Sequence, residues 1–361
     1  MNIYLSDLRA DCMLKNIWQN TSRDMRKTLT TVAFVLGSIA AFSQQDPQFS
    51  QYMYNKLFMN PGYAGIRQAL CATAIYRDQW QGFDGAPKTG VFSADYFSPA
   101  IHGGVGLNIM TDKLGFESTM AFRADYSFHV LNLAGGVLGI GVELGAVSKR
   151  IGPTGSDSWI ATTNWQSDQS IPPQLKKTVF DAGAGLWYQR QNIWFGISST
   201  HLSAAQVDDG TASITPTSPP GPPVVHNLKY QIAHHYFVTG GINLFQGNTW
   251  EIRPSFLVKS DATITSIDIS CLAMFNQRFW FGANYRVKDA ICPMVGFQIP
   301  NKLMTPDGRP DGGLKVGFAY DYTTSDLNNY NNGTFEVFLN YCVPIVVTPK
   351  RQGHGDVRIF D

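Results

Sequence analysis

The stretch GLKVGFAYDYT (313–323) decides the fold. Leu314, Val316, Phe318, Tyr320 and Tyr322 share one parity, and Lys315, Gly317, Ala319, Asp321 and Thr323 share the other. A period of two belongs to a strand, whose successive side chains point to opposite faces. One parity here is large and apolar, the other charged or small, which suits a wall with lipid outside and a polar interior. TFEVFLNYCV (334–343) repeats the pattern, with Phe335, Val337, Leu339 and Tyr341 set against Glu336, Phe338, Asn340 and Cys342. So do 278–287, 178–188 and 120–130, the last setting Met120, Phe122, Ala124, Tyr126 and Phe128 against Arg123, Asp125, Ser127 and His129. Each run is about ten residues long, the length of a tilted strand that crosses a bilayer, whereas sandwich strands are usually ~5–6. Tyrosines near strand ends match interfacial girdles.

Working outward, fourteen strands are expected: 70–78, 89–98, 103–112, 118–131, 137–151, 178–190, 192–201, 230–244, 250–260, 264–275, 278–288, 290–299, 313–323 and 334–343. An even count returns both barrel ends to one side of the membrane. The connections alternate as well. Those at 99–102, 132–136, 191, 245–249 and 276–277 are short, as periplasmic turns are. Those at 79–88, 152–177 and 202–229 are long, as outer loops are, and TPTSPPGPP (215–223) reads as extended and solvated. PNKLMTPDGRPDG (300–312) breaks the rule by being long on the periplasmic side; it reads as a partner contact or as a slip in the expected register. The inward parity carries both signs, in Arg123, Asp125, Asp181, Arg286, Lys315, Asp321 and Glu336, where a selective pore favours one. Paired charges in a mostly filled barrel are expected.

Composition agrees. The 361 residues hold 28 Lys plus Arg and 27 Asp plus Glu, a net charge of +1 that argues against nucleic acid as a partner. Charged residues are 15%, against roughly 25% in ordinary soluble domains, and aromatics reach 13%, which excludes a disordered chain. Beyond residue 43 no run of ~18 uncharged apolar residues occurs, so membrane-spanning helices are not expected.

RKTLTTVAFVLGSIAAFS (26–43) has a basic start, an apolar run and small residues at Ala41 and Ser43, the pattern of a secretory signal peptide. The organisation expected is a misassigned extension at 1–24, a signal peptide at 25–43 with Met25 as the start, a periplasmic N-terminal segment at 44–69, an outer-membrane barrel at 70–343 and a periplasmic tail at 344–361. Past Gln44 the cysteines are Cys71, Cys271, Cys292 and Cys342. Cys71 and Cys342 are both expected to face inward on the first and last strands, near each other; whether they bond is open.

Motifs for catalysis are lacking: there is no Walker A, H-E-x-x-H or G-x-S-x-G. His201 and Ser203 would share a face of a strand, similar to the His-x-Ser arrangement of outer-membrane lipid deacylases, but no orienting carboxylate or oxyanion donor accompanies them in sequence. His234 and His235 are consecutive and point to opposite faces, so they do not share a metal. Neither catalysis, a cofactor nor a metal is expected.

QQDPQFSQYMYNKLFMNPGYAGIRQAL (44–70) has no clean period of two and is rich in aromatics. A short amphipathic helix over 51–60 is expected, stopped by Asn60-Pro61-Gly62. The segment either plugs the barrel or docks onto another protein. Its runs Asp46-Pro47-Gln48-Phe49-Ser50-Gln51-Tyr52, Asn55-Lys56-Leu57-Phe58-Met59-Asn60-Pro61 and Tyr63-Ala64-Gly65 resemble the opening of the PorP/SprF family of outer-membrane proteins. Arg77-Asp78-Gln79-Trp80, then Gly82-Phe83-Asp84-Gly85-Ala86-Pro87, and the Gly104-Val105-Gly106-Leu107 strand resemble it too. The tail departs by closing on Asp361.

The resemblance implies a non-enzymatic barrel of the type IX secretion and gliding machinery of Bacteroidetes. It implies partners: a surface adhesin or other cargo, and a periplasmic secretion ring or peptidoglycan-binding lipoprotein, beside outer-membrane lipid. Asp46, Pro47, Phe49, Ser50, Gln51, Tyr52, Asn55, Asn60, Pro61 and Gly65 become periplasmic partner-binding candidates, and Arg77, Gln79, Trp80, Gly82, Phe83, Gly85 and Pro87 an outer-loop motif. The readings kept beside this one are a channel for a hydrophobic or small polar solute and, behind it, the lipid deacylase.

Overall fold

Alternation along each strand governs the architecture. The computed structural model describes residues 46–152, 175–208, 212–214, 224–226, 229–245, 249–300 and 313–345. The expected signal peptide and the extension before it, the 301–312 connection, the tail from 346, most of the 152–177 loop, and half of the 202–229 loop with the proline run lie outside these residues.

In chain order the strands are β1 (Ala69–Asp78), β2 (Lys88–Ser98), β3 (Gly103–Leu114), β4 (Glu117–Leu133), β5 (Gly136–Ile151), β6 (Leu175–Gln189) and β7 (Ile193–Thr200). Four three-residue strands follow: β8 (Gln206–Asp208), β9 (Ala212–Ile214), β10 (Val224–His226) and β11 (Lys229–Gln231). The rest are β12 (His235–Ile242), β13 (Trp250–Ser260), β14 (Thr265–Phe275), β15 (Phe279–Arg286), β16 (Ala290–Pro300), β17 (Gly313–Thr323) and β18 (Thr334–Pro344). Strands β1–β7 and β12–β18 close into one antiparallel barrel of fourteen, each paired with its neighbour in the chain and β1 with β18. The four short strands form two small sheets, β9 with β10 and β8 with β11. The loop after β7 is therefore partly structured, and β12 starts later than the expected 230 because β11 pairs with β8 instead. The break at 300–312 is not a register slip, since β16 and β17 pair through Pro300 and Gly313.

The outward parity is the apolar one. Phe122, Leu144, Phe180, Ile269, Phe281, Val295 and Phe318 are exposed around the wall, with Tyr76, Tyr236, Tyr285 and Tyr322 towards the long-loop end and Tyr96 and Tyr341 towards the other. In lipid every backbone polar group must be satisfied within the protein, and a closed sheet does this without leaving an edge. Among the described residues no helix is long and apolar enough to span a membrane.

Cys71 and Cys342 face each other across the β1–β18 seam and are joined by a disulfide, which answers the question that their parity raised. The inward parity meets the N-terminal segment. Residues 46–66 run through the lumen, from His201 and His235 at the long-loop end to Asp95 and Gly104 near the 99–102 turn. Phe49, Tyr52, Met53, Tyr54, Phe58 and Met59 pack there with inward residues of the wall, including Ile75, Leu272, Met274, Trp280 and Phe338. The barrel thus has a hydrophobic core in which the plug supplies the side chains that facing strands cannot reach across to provide.

Candidate functional site

The plug and the wall that grips it form the candidate site. The expected single helix over 51–60 is replaced by three short pieces: a 3-10 turn at Tyr52–Tyr54, a helical turn at Lys56–Met59 and a second 3-10 turn at Pro61–Tyr63. Asn55 breaks the run with φ −112° and ψ 42°. A helix of ten residues is marginal in water, and wall contacts on all sides override its propensity. Asn60 ends the middle piece and caps the next, its Oδ1 accepting from the Gly62 amide at 2.9 Å.

Grip at the long-loop end is electrostatic. Glu336 accepts from the backbone amides of Ser50 and Gln51, both at 2.8 Å. The Ser50 hydroxyl lies 2.6 Å from Asp321 Oδ1. Arg77 ties both carboxylates together, donating to Asp321 at 2.7 Å and to Glu336 at 2.9 Å, with Ser50 Oγ at 3.0 Å from the same guanidinium. Arg286 extends the network, 3.0 Å from Asp268 and 3.4 Å from Asp321, and Asn284 donates to Asp268. Inside a low-dielectric wall a lone charge is costly, so both signs occur and are paired.

The middle is aromatic. Tyr54 stacks on Phe338 with centroids 4.3 Å apart and leans on Trp280. Tyr52 Oη is 3.0 Å from Ser255 Oγ. Lys56 Nζ sits 4.0 Å above the Trp194 ring, and Trp187 stacks on Trp194 at 5.2 Å. The Asn55 side-chain amide has no hydrogen-bond partner among the described residues; it lines a cavity of about 10 Å³, close to the space of one water.

The short-turn end is held by backbone. Asn60 Nδ2 donates to the carbonyls of Leu186 and Ile197 on β6 and β7. Ser198 donates to the Met59 carbonyl, Ser127 to that of Gly62, and the Gly65 amide donates to Asp95. Contact this close needs a bare wall. A Cβ on Gly141 would stand 2.2 Å from Gly62 N, and one on Gly104 would stand 2.3 Å from the Ala64 carbonyl oxygen.

The expected partner-binding residues therefore come together, but within the barrel: Asp46, Phe49, Ser50, Gln51, Tyr52, Asn55, Asn60, Pro61 and Gly65 are buried and Pro47 is half-buried. The outer-loop motif splits. Arg77 is buried in the charge network, while Gln79, Trp80, Gly85 and Pro87 fold the loop back on itself and on its neighbours. The Gln79 amide donates to the Pro87 carbonyl, Trp80 to Thr334 Oγ1, and Gly115 to Gly85. Gly82 and Phe83 are exposed at the tip. Glu143, Lys259 and Asp268 were missed as lumen charges, although each lies on the inward parity of its strand and the same test finds them.

The alternative that paired His201 with Ser203 is not met. His201 has φ 58°, which breaks the alternation at the end of β7 and buries it beside Thr200. Ser203 is exposed and donates to the Phe180 carbonyl. The two side chains sit in different environments, and no hydrolytic pair is formed.

A family model described as type IX secretion system membrane protein PorP/SprF matches residues 41–341. No curated protein matches the chain. Among solved structures, the chain is similar to the CymD monoaromatic hydrocarbon channel, with 10% identity over 81% of this chain and 93% of that one and a TM-score of 0.49. It is also similar to the Pseudomonas putida toluene transporter TodX, with 9% identity, 77% and 89% coverage and a TM-score of 0.43. A Pseudomonas aeruginosa FadL homologue gives 10% identity, 76% and 89% coverage and a TM-score of 0.41.

Proposed function

We propose, from the premise that the chain belongs to the PorP/SprF family of type IX secretion system membrane proteins, that it acts as a sealed outer-membrane barrel. In this reading it anchors surface adhesins or other cargo, or assists their export, and links them to the periplasmic machinery. The observation that carries it is the lumen, occupied from one end to the other by residues 46–66 and pinned by buried charges. A solute channel needs a path with weak binding sites, whereas a buried pair of carboxylates under one guanidinium is a rigid lock.

The opening motif then serves the role by sealing and shaping the barrel. Docking falls to what the barrel presents: the loops 152–177 and 202–229 and the Phe83 tip towards cargo, and the 300–312 connection and the tail from 344 towards a secretion ring or lipoprotein. Affinity capture from detergent extracts tests this, with an adhesin or a secretion-ring component expected among the bound proteins. Recovery of neither, together with a steady open-channel current in planar bilayers, would favour the solute channel instead.

A further inference from the structure

At the long-loop mouth, one potential ligand atom from each of Asp46, His201 and His235 lies within 4.8 Å of the others, and all three residues are buried. The two imidazoles are oriented by partners behind them. His235 Nδ1 lies 3.1 Å from the Ala233 carbonyl oxygen, which only accepts, so that nitrogen carries the proton. His201 Nδ1 lies 2.9 Å from Asp181 Oδ2. His235 therefore presents an Nε2 lone pair, and His201 turns its Nε2 to Asp46. His201 Nε2 is 3.0 Å from Asp46 Oδ1, and His235 Nε2 is 2.9 Å from the Asp46 amide. Between His201 Nε2 and Asp46 Oδ1 there is room for either the ring's own proton or a metal ion in its place, and the His235 Nε2 lone pair, now accepting from the Asp46 amide, is the second imidazole donor within reach.

We propose that Asp46, His201 and His235 form a binding site for a divalent transition-metal ion of the zinc type. Two imidazole nitrogens and one carboxylate oxygen suit Zn²⁺, and a carboxylate or carbonyl behind each imidazole is the usual support for a ligating histidine. Donors about 2.0–2.1 Å from a tetrahedral zinc stand roughly 3.3 Å apart, so side-chain rotation of about 1.5 Å completes the set. Two cations share the neighbourhood. Lys259 donates to the Asp46 carbonyl oxygen, not its carboxylate, at 2.7 Å. Arg123 Nη2 is 3.4 Å from His201 Nε2, and its charge is met by Glu143 and Asp181 at 3.7 and 3.5 Å. The ion would displace the Arg123 contact and stitch the plug to the ends of β7 and β12, which the 201–234 loop joins.

The test uses the full chain, purified in detergent, stripped with a chelator and titrated with Zn²⁺ by calorimetry. One equivalent is expected, with affinity at least 10-fold weaker in His235→Gln and in Asp46→Asn. Asp181→Asn, which leaves all three donors, should weaken it by about 10–100-fold. Unheated gel migration reports that each variant is folded. Co²⁺ bound to the unaltered chain should give the visible absorption of a tetrahedral site, a readout that needs no variant. Zinc uptake no greater than that of a folded His201→Gln/His235→Gln double variant, or no tetrahedral Co²⁺ band, overturns the proposal and leaves a proton on His201 between two carboxylates.

Discussion

Replacing Arg77 by Met keeps the side chain's length and removes its charge. In the parent, one guanidinium holds Asp321 at 2.7 Å, Glu336 at 2.9 Å and Ser50 Oγ at 3.0 Å, all out of reach of water. Without it, Asp321 keeps Arg286 at 3.4 Å, and Glu336 keeps the Ser50 and Gln51 amides. Removing one partner of a buried pair costs ~3–5 kcal/mol, chiefly because the remaining charge is left uncompensated. Arg286 offsets part of the loss at Asp321, so Glu336 carries most of it. Glu336→Gln in the Arg77→Met background should therefore recover ~0.5–3 kcal/mol, since the two positions share one network. Urea unfolding of the barrel in lipid vesicles, followed by tryptophan fluorescence, measures both changes. A single substitution that unfolds within ~1 kcal/mol of the parent, or a double variant that is simply additive, would refute the view that Arg77 is the pin of the plug.

Gly141→Val drives a side chain into the Gly62 and Pro61 backbone and should cost ~1–3 kcal/mol by overpacking, with current bursts in planar bilayers as the plug is pushed aside. Cys71→Ser paired with Cys342→Ser opens the seam crosslink and should lower stability by ~2–5 kcal/mol, read as a lower temperature of heat-induced gel shift. Leu144→Arg, on the lipid face halfway along β5, should destabilise the barrel in vesicles by ~2–4 kcal/mol. Phe83→Ala at the exposed loop tip should leave stability within ~0.5 kcal/mol and lower the yield of captured cargo.

Most of the wall was legible because one physical rule writes it. Phe318 and Asp321 lie on opposite faces because a strand has a period of two, and lipid on one side makes that parity visible. The plug was less so. Its side chains answer to fourteen strands at once, so Tyr52, Tyr54 and Phe58 follow no period. The choice between plugging and docking rested on contacts of long sequence separation, such as Ser50 to Glu336, which no local pattern records. At His201 the strand ends for a local reason: one residue with a positive φ turns it into a corner and sends Ser203 elsewhere. The β8–β11 pairings escaped because three-residue strands are too short to show alternation.

The path of residues 46–66 also constrains how the molecule is made. This segment runs from the mouth bearing the long loops to the opposite mouth, where β1 begins. A finished cylinder would have to be threaded lengthwise by this segment, past a Trp187–Trp194 stack and a web of ion pairs. Wrapping would avoid this, with the sheet curling around the segment and β18 closing against β1 afterwards. On that route the sulphur crosslink at the joint would work as a clasp fastened once the contents are inside.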